Sequence, residues 1–309
     1  MKKKCVSGFL FRVIILATSI FLISSVSIYV ESNTLPIKSA CEYDYPPYCY
    51  VKDDSSAAGF SIELLTEALK VMNMEVDFKT GYWSNLKEDL KEGRIDVLPL
   101  VGRTPEREKY YDFSISYLTM HGVIVVRSDN HDIVKLKDLN GKKIGVLKGD
   151  NAEEYIIRKN FTDEINATPT FNDALIGLSK GDYDAVVIQN LLAVQLINEL
   201  HLDNLKIVSP PLEDFKQDFC FAVKDGDKEL LSVLNEGLSI IIENGVYRQL
   251  QAKWFAPLKI KMTGSIVVGA DFNYPPWEYL DENGKPAGFI VDLTKAIALE
   301  MNMGIQFYF

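Results

Sequence analysis

Few residues of this chain have chemistry to offer. The loop Arg103-Thr104-Pro105-Glu106-Arg107-Glu108-Lys109 carries two guanidinium groups among carboxylates. A guanidinium grips a carboxylate through two parallel, charge-assisted hydrogen bonds that a lysine ammonium cannot copy. By itself, Arg107 in so charged a loop reads as a surface arginine. Gly149-Asp150-Asn151 stands at the start of an expected helix. Free N–H groups there favour an anion, although Asp150 also reads as a plain N-cap. His121, His131 and His201 are scattered, and the cysteines lack zinc spacing. P-loop, HExxH, GxSxG and dinucleotide-binding glycine signatures are absent from the sequence. The chemistry on offer is therefore recognition, with no cofactor, no metal and no assigned catalytic residue.

Composition narrows the partners. With 33 Lys and Arg against 43 Asp and Glu the net charge is −10, which argues against nucleic acid or an anionic membrane surface. Length allows two domains, and an apolar content of 47% allows sizeable cores. Beyond Cys5, the cysteines are Cys41, Cys49 and Cys220. The odd number leaves one unpaired within the chain, and a Cys41–Cys49 disulfide is an option in an oxidising compartment. Lys2, Lys3, Lys4 and Arg12 precede the uncharged, mostly apolar stretch Val13–Val30. That is the pattern of a signal peptide or an N-terminal membrane anchor over 1–34, and it places the rest outside the cytoplasm.

The elements that position these groups are organised by an internal repeat. Tyr45–Phe78 recurs, shifted by 229 positions and without a gap, as Tyr274–Phe307. Tyr45, Pro46, Pro47, Gly59, Phe60, Leu64, Met72, Asn73, Met74 and Phe78 are each repeated. A period of this size is that of a domain, not of a solenoid unit. The chain thus reads as one domain over 35–260 followed by the opening of an incomplete second copy over 264–309.

Between them, periodicity and turn residues predict alternating strands and helices. A strand over Leu35–Cys41 stops at Tyr45-Pro46-Pro47, and a helix runs from Gly59 to about Asn73. A strand covers Val76–Lys79, Ser84 caps a helix that ends at Gly93, and Ile95–Leu100 is a buried strand. Further strands are expected at His121–Arg127, Lys143–Leu147, Ala185–Ile188, Leu205–Val208 and Phe219–Val223. Further helices are expected from about Ala152 and over Phe171–Lys180, Leu191–Glu199, Lys228–Asn244 and Val246–Phe255. This alternation implies an α/β fold with a sheet covered on both faces. It forms two lobes, the first about 37–122 and 218–258, the second about 123–217.

Several signatures now fall into one order: Tyr45-Pro46-Pro47, Gly59-Phe60, Gly93-x-Ile95-Asp96, Thr104-Pro105-Glu106-Arg107, Asp112-Phe113-Ser114, Gly145-Val146-Leu147-x-Gly149, Gly181-x-x-Asp184-Ala185 and Asn244-Gly245-x-Tyr247 with Trp254-Phe255. In that order the chain resembles the family 3 extracellular solute-binding proteins, with their type II periplasmic binding (Venus flytrap) fold. The doubled arrangement behind an anchor resembles the tandem flytrap sensors of membrane histidine kinases and diguanylate cyclases.

The resemblance implies a small solute held between lobes that close by hinge bending. Arg107 then grips the ligand's carboxylate, and Tyr45 and Trp83 wall the ligand, each with a core role as the alternative. Glu42 meets a positive end or is simply solvated. Leu100 and Gly102 offer backbone groups, Gly102 without the usual hydroxyl but with room for close approach. Asp150 and Asn151 stand where relatives usually carry Ser or Thr. Gln189 replaces the Asp that commonly takes a ligand ammonium, which puts a standard α-amino acid in doubt.

The implied partners are the solute, the membrane through the leader, and either a signalling output domain or a transporter. The other functional class on this fold is enzymatic, a dehydratase or lytic transglycosylase with Glu42 or Asp150 as acid. No paired arrangement in the sequence demands it.

Overall fold

The computed structural model describes residues 35–255, 265–300 and 304–309. The expected leader lies outside the described residues.

Strand β1 (Ile37–Glu42) runs inward and meets a small antiparallel sheet of β2 (Asp44–Tyr45), β3 (Cys49–Val51) and β4 (Ala57–Ala58). Cys41 and Cys49 are free, buried thiols, with Cys49 Sγ donating to Cys41 Sγ at 3.2 Å. Gly59 opens helix α1 (Phe60–Lys70) at φ +125°, and a Cβ there would lie 2.3 Å from the Tyr48 carbonyl. Only glycine fits that approach. Phe60, Leu64, Leu65, Ala68 and Leu69 form the buried face, each large side chain contributing about 1.5–3 kcal/mol of burial. The helix ends earlier than its apolar pattern suggests, because Asn73 turns the chain at φ +57°.

Strand β5 (Val76–Gly81) pairs in parallel with β1. Helix α2 (Trp83–Lys91) has Tyr82, not Ser84, at its N-cap, with no side-chain cap bond. Ser84 falls inside the first turn because the helix begins at the buried Trp83. Strand β6 (Val97–Gly102) is buried along its whole length. It lies beside β1, where Ser39 Oγ donates to the Val97 carbonyl at 3.0 Å. A short 3-10 turn, Arg107–Lys109, leads to β7 (Tyr111–Phe113) and the long β8 (Leu118–Arg127).

The second lobe follows: β9 (Ile144–Leu147), α3 (Asn151–Lys159), β10 (Ile165–Thr168), α4 (Phe171–Lys180), β11 (Ala185–Gln189), α5 (Asn190–Glu199) and β12 (Leu205–Ile207). Strand β13 (Lys216–Lys224) then returns to the first lobe, which α6 (Lys228–Glu243) and α7 (Val246–Phe255) complete.

Two strands cross between the lobes. Leu118–His121 of β8 pair antiparallel with Lys216–Phe219 of β13. Beyond that contact, Gly122–Val125 of β8 pair with β11 in the second lobe. Phe219–Val223 of β13 pair with β6 in the first. The sheet is therefore continuous in the order β10-β9-β11-β8-β13-β6, with β12 on β8 and β7 on β13. Strand β13 begins three residues before its apolar run. Lys216-Gln217-Asp218 alternate exposed, buried, exposed, so Gln217 faces inward where the sequence shows only a polar stretch.

Residues 265–309 rebuild the opening of the domain. Strand β14 (Ser265–Gly269) anticipates the role of β1, and a hairpin sheet of β15 (Asn273–Tyr274), β16 (Glu278–Leu280) and β17 (Pro286–Ala287) follows. Helix α8 (Phe289–Glu300) and β18 (Gly304–Tyr308) come next, with β18 parallel to β14 as β5 is to β1. Gly288 has φ +112° and a Cβ there would lie 2.5 Å from the Trp277 carbonyl, matching Gly59. Burial differs: Phe60 and Leu64 are fully covered, whereas Phe289 and Leu293 are 58% and 45% exposed.

Candidate functional site

The ends of strands and the starts of helices from both lobes meet along one seam. Open α/β sheets place their ligand sites at such carboxyl edges. Glu42 ends β1, Tyr45 ends β2, Trp83 starts α2, and Leu100 and Gly102 close β6. Arg107 sits in the 3-10 turn, its N–H bonded to the Thr104 carbonyl. From the second lobe, Asp150 and Asn151 start α3 and Gln189 ends β11. All nine expected residues are buried, Glu42 being 6% exposed.

Arg107 is the densest junction. Its Nε donates to Glu154 Oε1 at 2.9 Å, its Nη1 to the Gly102 carbonyl at 3.1 Å, and its Nη2 to the Gly149 carbonyl at 3.2 Å. Its guanidinium carbon stands 5.1 Å from the Trp83 ring centre. The Gly149 carbonyl also accepts from Trp83 Nε1 at 2.8 Å and from Lys87 Nζ at 2.7 Å. Thr104 Oγ1 donates to Glu154 Oε2 at 2.8 Å. Tyr45 packs edge-on against Phe171 of the second lobe at 5.1 Å. The seam is thus closed by the protein's own groups, and Trp83 bridges the lobes through its N–H.

Asp150 behaves as an N-cap, its carboxylate accepting the Ala152 N–H at 3.0 Å. Burial raises its pKa, and Arg107 beside it works against that rise. Glu42 is pushed well above the usual carboxylate range by burial, then by Asp44, Asp150 and Cys41, with Arg107 opposing. Glu42 is therefore not a solvated charge.

Gln189 Nε2 donates to Asn151 Oδ1 at 2.6 Å. Gly102 faces this pair: a Cβ there would fall 2.6 Å from Asn151 Nδ2 and 3.5 Å from Gln217 Oε1. The close approach at Gly102 is made by the chain's own Asn151. Leu100 lies in the core, two positions before Gly102 on the same strand.

Among the buried side-chain atoms without a partner are those of four expected or newly found seam residues: Tyr45 Oη, Asn151 Nδ2, Gln189 Oε1 and Gln217 Oε1. Unpaired buried polar atoms are rare, and Asn151 and Gln217 bring two of them beside Gly102. Among the described residues no cluster of His, Cys, Asp or Glu has the arrangement of a metal site.

The profile of the bacterial extracellular solute-binding proteins, family 3, matches residues 37–257 and again 266–309. The chain belongs to that family. The family 3 chain is 29% identical over 228 residues to the L-cystine-binding protein TcyJ of Escherichia coli (strain K12), covering 73% of this chain and 84% of TcyJ. It is 29% identical over 216 residues to the L-cystine-binding protein TcyA of Bacillus subtilis (strain 168), covering 69% and 79%. Among solved structures, a histidine kinase sensor domain with similarity to periplasmic binding proteins superposes with a TM-score of 0.68 at 32% identity, covering 71% of this chain and 95% of that one. An ancestral arginine-binding protein bound to arginine superposes with a TM-score of 0.66 at 30% identity, covering 71% and 98%. The family 3 chain thus has the type II periplasmic binding fold, mixed α/β in two lobes, with the start of a second region.

Three residues of the seam escape a reading by motif. Glu154 sits one turn into α3, where an acid reads as a partner of the helix dipole. Lys87 is one turn beyond Trp83 on α2. Gln217 lies in a polar run outside any signature. Spacing alone could have shown that Glu154 shares a helix face with Asp150, and Lys87 with Trp83.

Proposed function

We propose that the first domain binds one amino-acid-like solute between its lobes, outside the cytoplasm, and closes on it by bending at β8 and β13. The observation that carries this reading is the cluster of four unpartnered buried polar atoms where the lobes meet. Arg107 receives the solute's carboxylate by exchanging it for Glu154. Glu42 and Asp150 supply the negative charge for any positive end, since Gln189 is neutral. Tyr45 and Trp83 form the walls.

The domain serves as the sensor input of a membrane signalling receptor, anchored through its leader. The repeated opening over 265–309 and the likeness to a histidine kinase sensor domain support that use. The alternative is the binding component of an amino-acid transporter, which a 26% identity over 215 residues to the ABC transporter arginine-binding protein 1 of Escherichia coli (strain K12) favours. Binding rather than turnover is the reading that the solute-binding relatives support.

The test is a thermal-shift and calorimetric screen of the purified chain against amino acids, keto acids and dicarboxylates, with each mixture assayed for product. A bound solute recovered unchanged supports the reading. Turnover, or no binding across the panel, overturns it.

A further inference from the structure

Three carboxamides converge at Gly102, and their hydrogen-bonding capacity is unequal to their partners. Gln189 and Asn151 bond to each other at 2.6 Å. Whichever way the two amides are turned, that bond uses one donor and one acceptor. One carbonyl and one whole NH2 group are left over, here Gln189 Oε1 and Asn151 Nδ2. Gln217, from the crossing strand β13, is 7% exposed and brings a further unpartnered atom, Oε1, to the same point. The leftover set is one NH2 group and two carbonyl oxygens. None of the three side chains carries charge.

A primary carboxamide has the complementary set, two N–H donors and one carbonyl acceptor. A carboxylate has no donor for the two oxygens. An ammonium has no acceptor for Asn151 Nδ2 and would be buried against neutral groups, which is costly. We infer that Gln217, Gln189 and Asn151 form a receptor for a neutral primary amide, so that the solute is an acid carrying a terminal carboxamide, with Gln217 setting that preference. This inference rests on the interlobe binding site proposed above and names its solute class.

The position of Gln217 couples recognition to closure. It sits at the β8–β13 crossing, while Gln189 and Asn151 belong to the second lobe. A solute amide bonded to all three ties the crossing to that lobe.

The probes are two matched series that differ at one end only: glutamine, glutamate and ornithine, then succinamate, succinate and 4-aminobutanoate. Calorimetry of the full chain should show the amide member of a series binding at least about tenfold tighter than its charged counterparts, the usual effect of leaving buried polar groups unpaired. Gln217→Leu should erase that preference, the amide member losing about tenfold relative to its charged counterparts. Gln217→Glu, which keeps the size, should turn it toward ornithine or 4-aminobutanoate. Melting curves of both variants establish that they fold. A charged member binding as tightly as its amide, or a preference unmoved in both variants, overturns the inference. If another amino acid binds through Arg107 without response at Gln217, the inference falls and the proposed function stands. If no solute of either panel binds, both fall.

Discussion

Arg107 Nε and Glu154 Oε1 stand 2.9 Å apart across the seam between the lobes, the arginine 3% exposed. The residue expected to read a ligand's carboxylate is already reading one, and it belongs to the protein. Glu154 is also bonded to Thr104 and lies 3.6 Å from Lys87. On the proposed reading it is an internal counter-ligand that an incoming carboxylate has to displace.

Replacing Glu154 with Gln should therefore raise affinity for a carboxylate solute several-fold, since the competitor loses its charge while the side chain keeps its size. The same change should loosen the unliganded closed form, visible as a larger radius of gyration in solution scattering. Lower affinity in Glu154→Gln would make Glu154 a support for Arg107 rather than its competitor.

Arg107→Ala should abolish carboxylate binding and lower stability too. Removing one partner of a buried charged pair costs about 3–5 kcal/mol, and here the Gly102 and Gly149 carbonyls lose a donor as well. Calorimetry and a melting curve check both effects. Binding retained with a lowered melting temperature would leave Arg107 a structural bridge only.

Asp44 links the lobes by accepting the Asn172 N–H at 3.0 Å. Burial raises its pKa from 3.8 to about 7, against the backbone bonds from Asn172 and Phe171 and with Asp173 adding to the rise. A carboxyl raised in the folded state stabilises fully below its unfolded pKa, and that stability is lost as pH climbs through the folded value. Glu42, raised in the same direction, adds a loss of the same sign. The melting temperature should fall as pH climbs from 3.8 to about 7, and Asp44→Asn should flatten the fall. An unchanged slope in the variant would clear Asp44 of the effect.

Phe289, Leu293 and Ile297 on α8 are 58%, 45% and 51% exposed, where Phe60, Leu64 and Ala68 are covered. Exposed apolar surface of this kind favours association. A chain ending at Leu258 should melt no lower than the full chain and aggregate less at equal concentration. A clear drop in melting temperature would mean that residues 265–309 stabilise the first domain.

The elements were largely legible from residue order. The period of α1, the glycines closing α2 and α4, and the extents of α4 and α7 follow from local spacing and turn chemistry, which act over a few residues. The repeat announced that β1, the hairpin and α1 would recur, and Gly59 and Gly288 recur for one steric reason. Local rules missed β2 to β4, β7 and β10, short strands poorer in the Val, Ile and Leu content by which the equally short β9 and β12 were recognised. They also placed the start of β13 too late, since Lys216, Gln217 and Asp218 take their strand from pairing with β8.

The site divides in the same way. That Arg107, Asp150 and Gln189 lie at element ends was readable from the chain. Whether each faces solvent, a ligand or another residue depends on groups dozens of positions away. Glu154 reaches Arg107 across 47 positions, and Gln217 comes beside Gly102, as Asn151 does, only because two strands cross between the lobes. Sequence by itself determined the family, the two-lobed plan and the list of candidate groups, through local propensity and repeated pattern. Tertiary structure decided which of those groups are already partnered and which are left open, because pairing is a matter of distance in space.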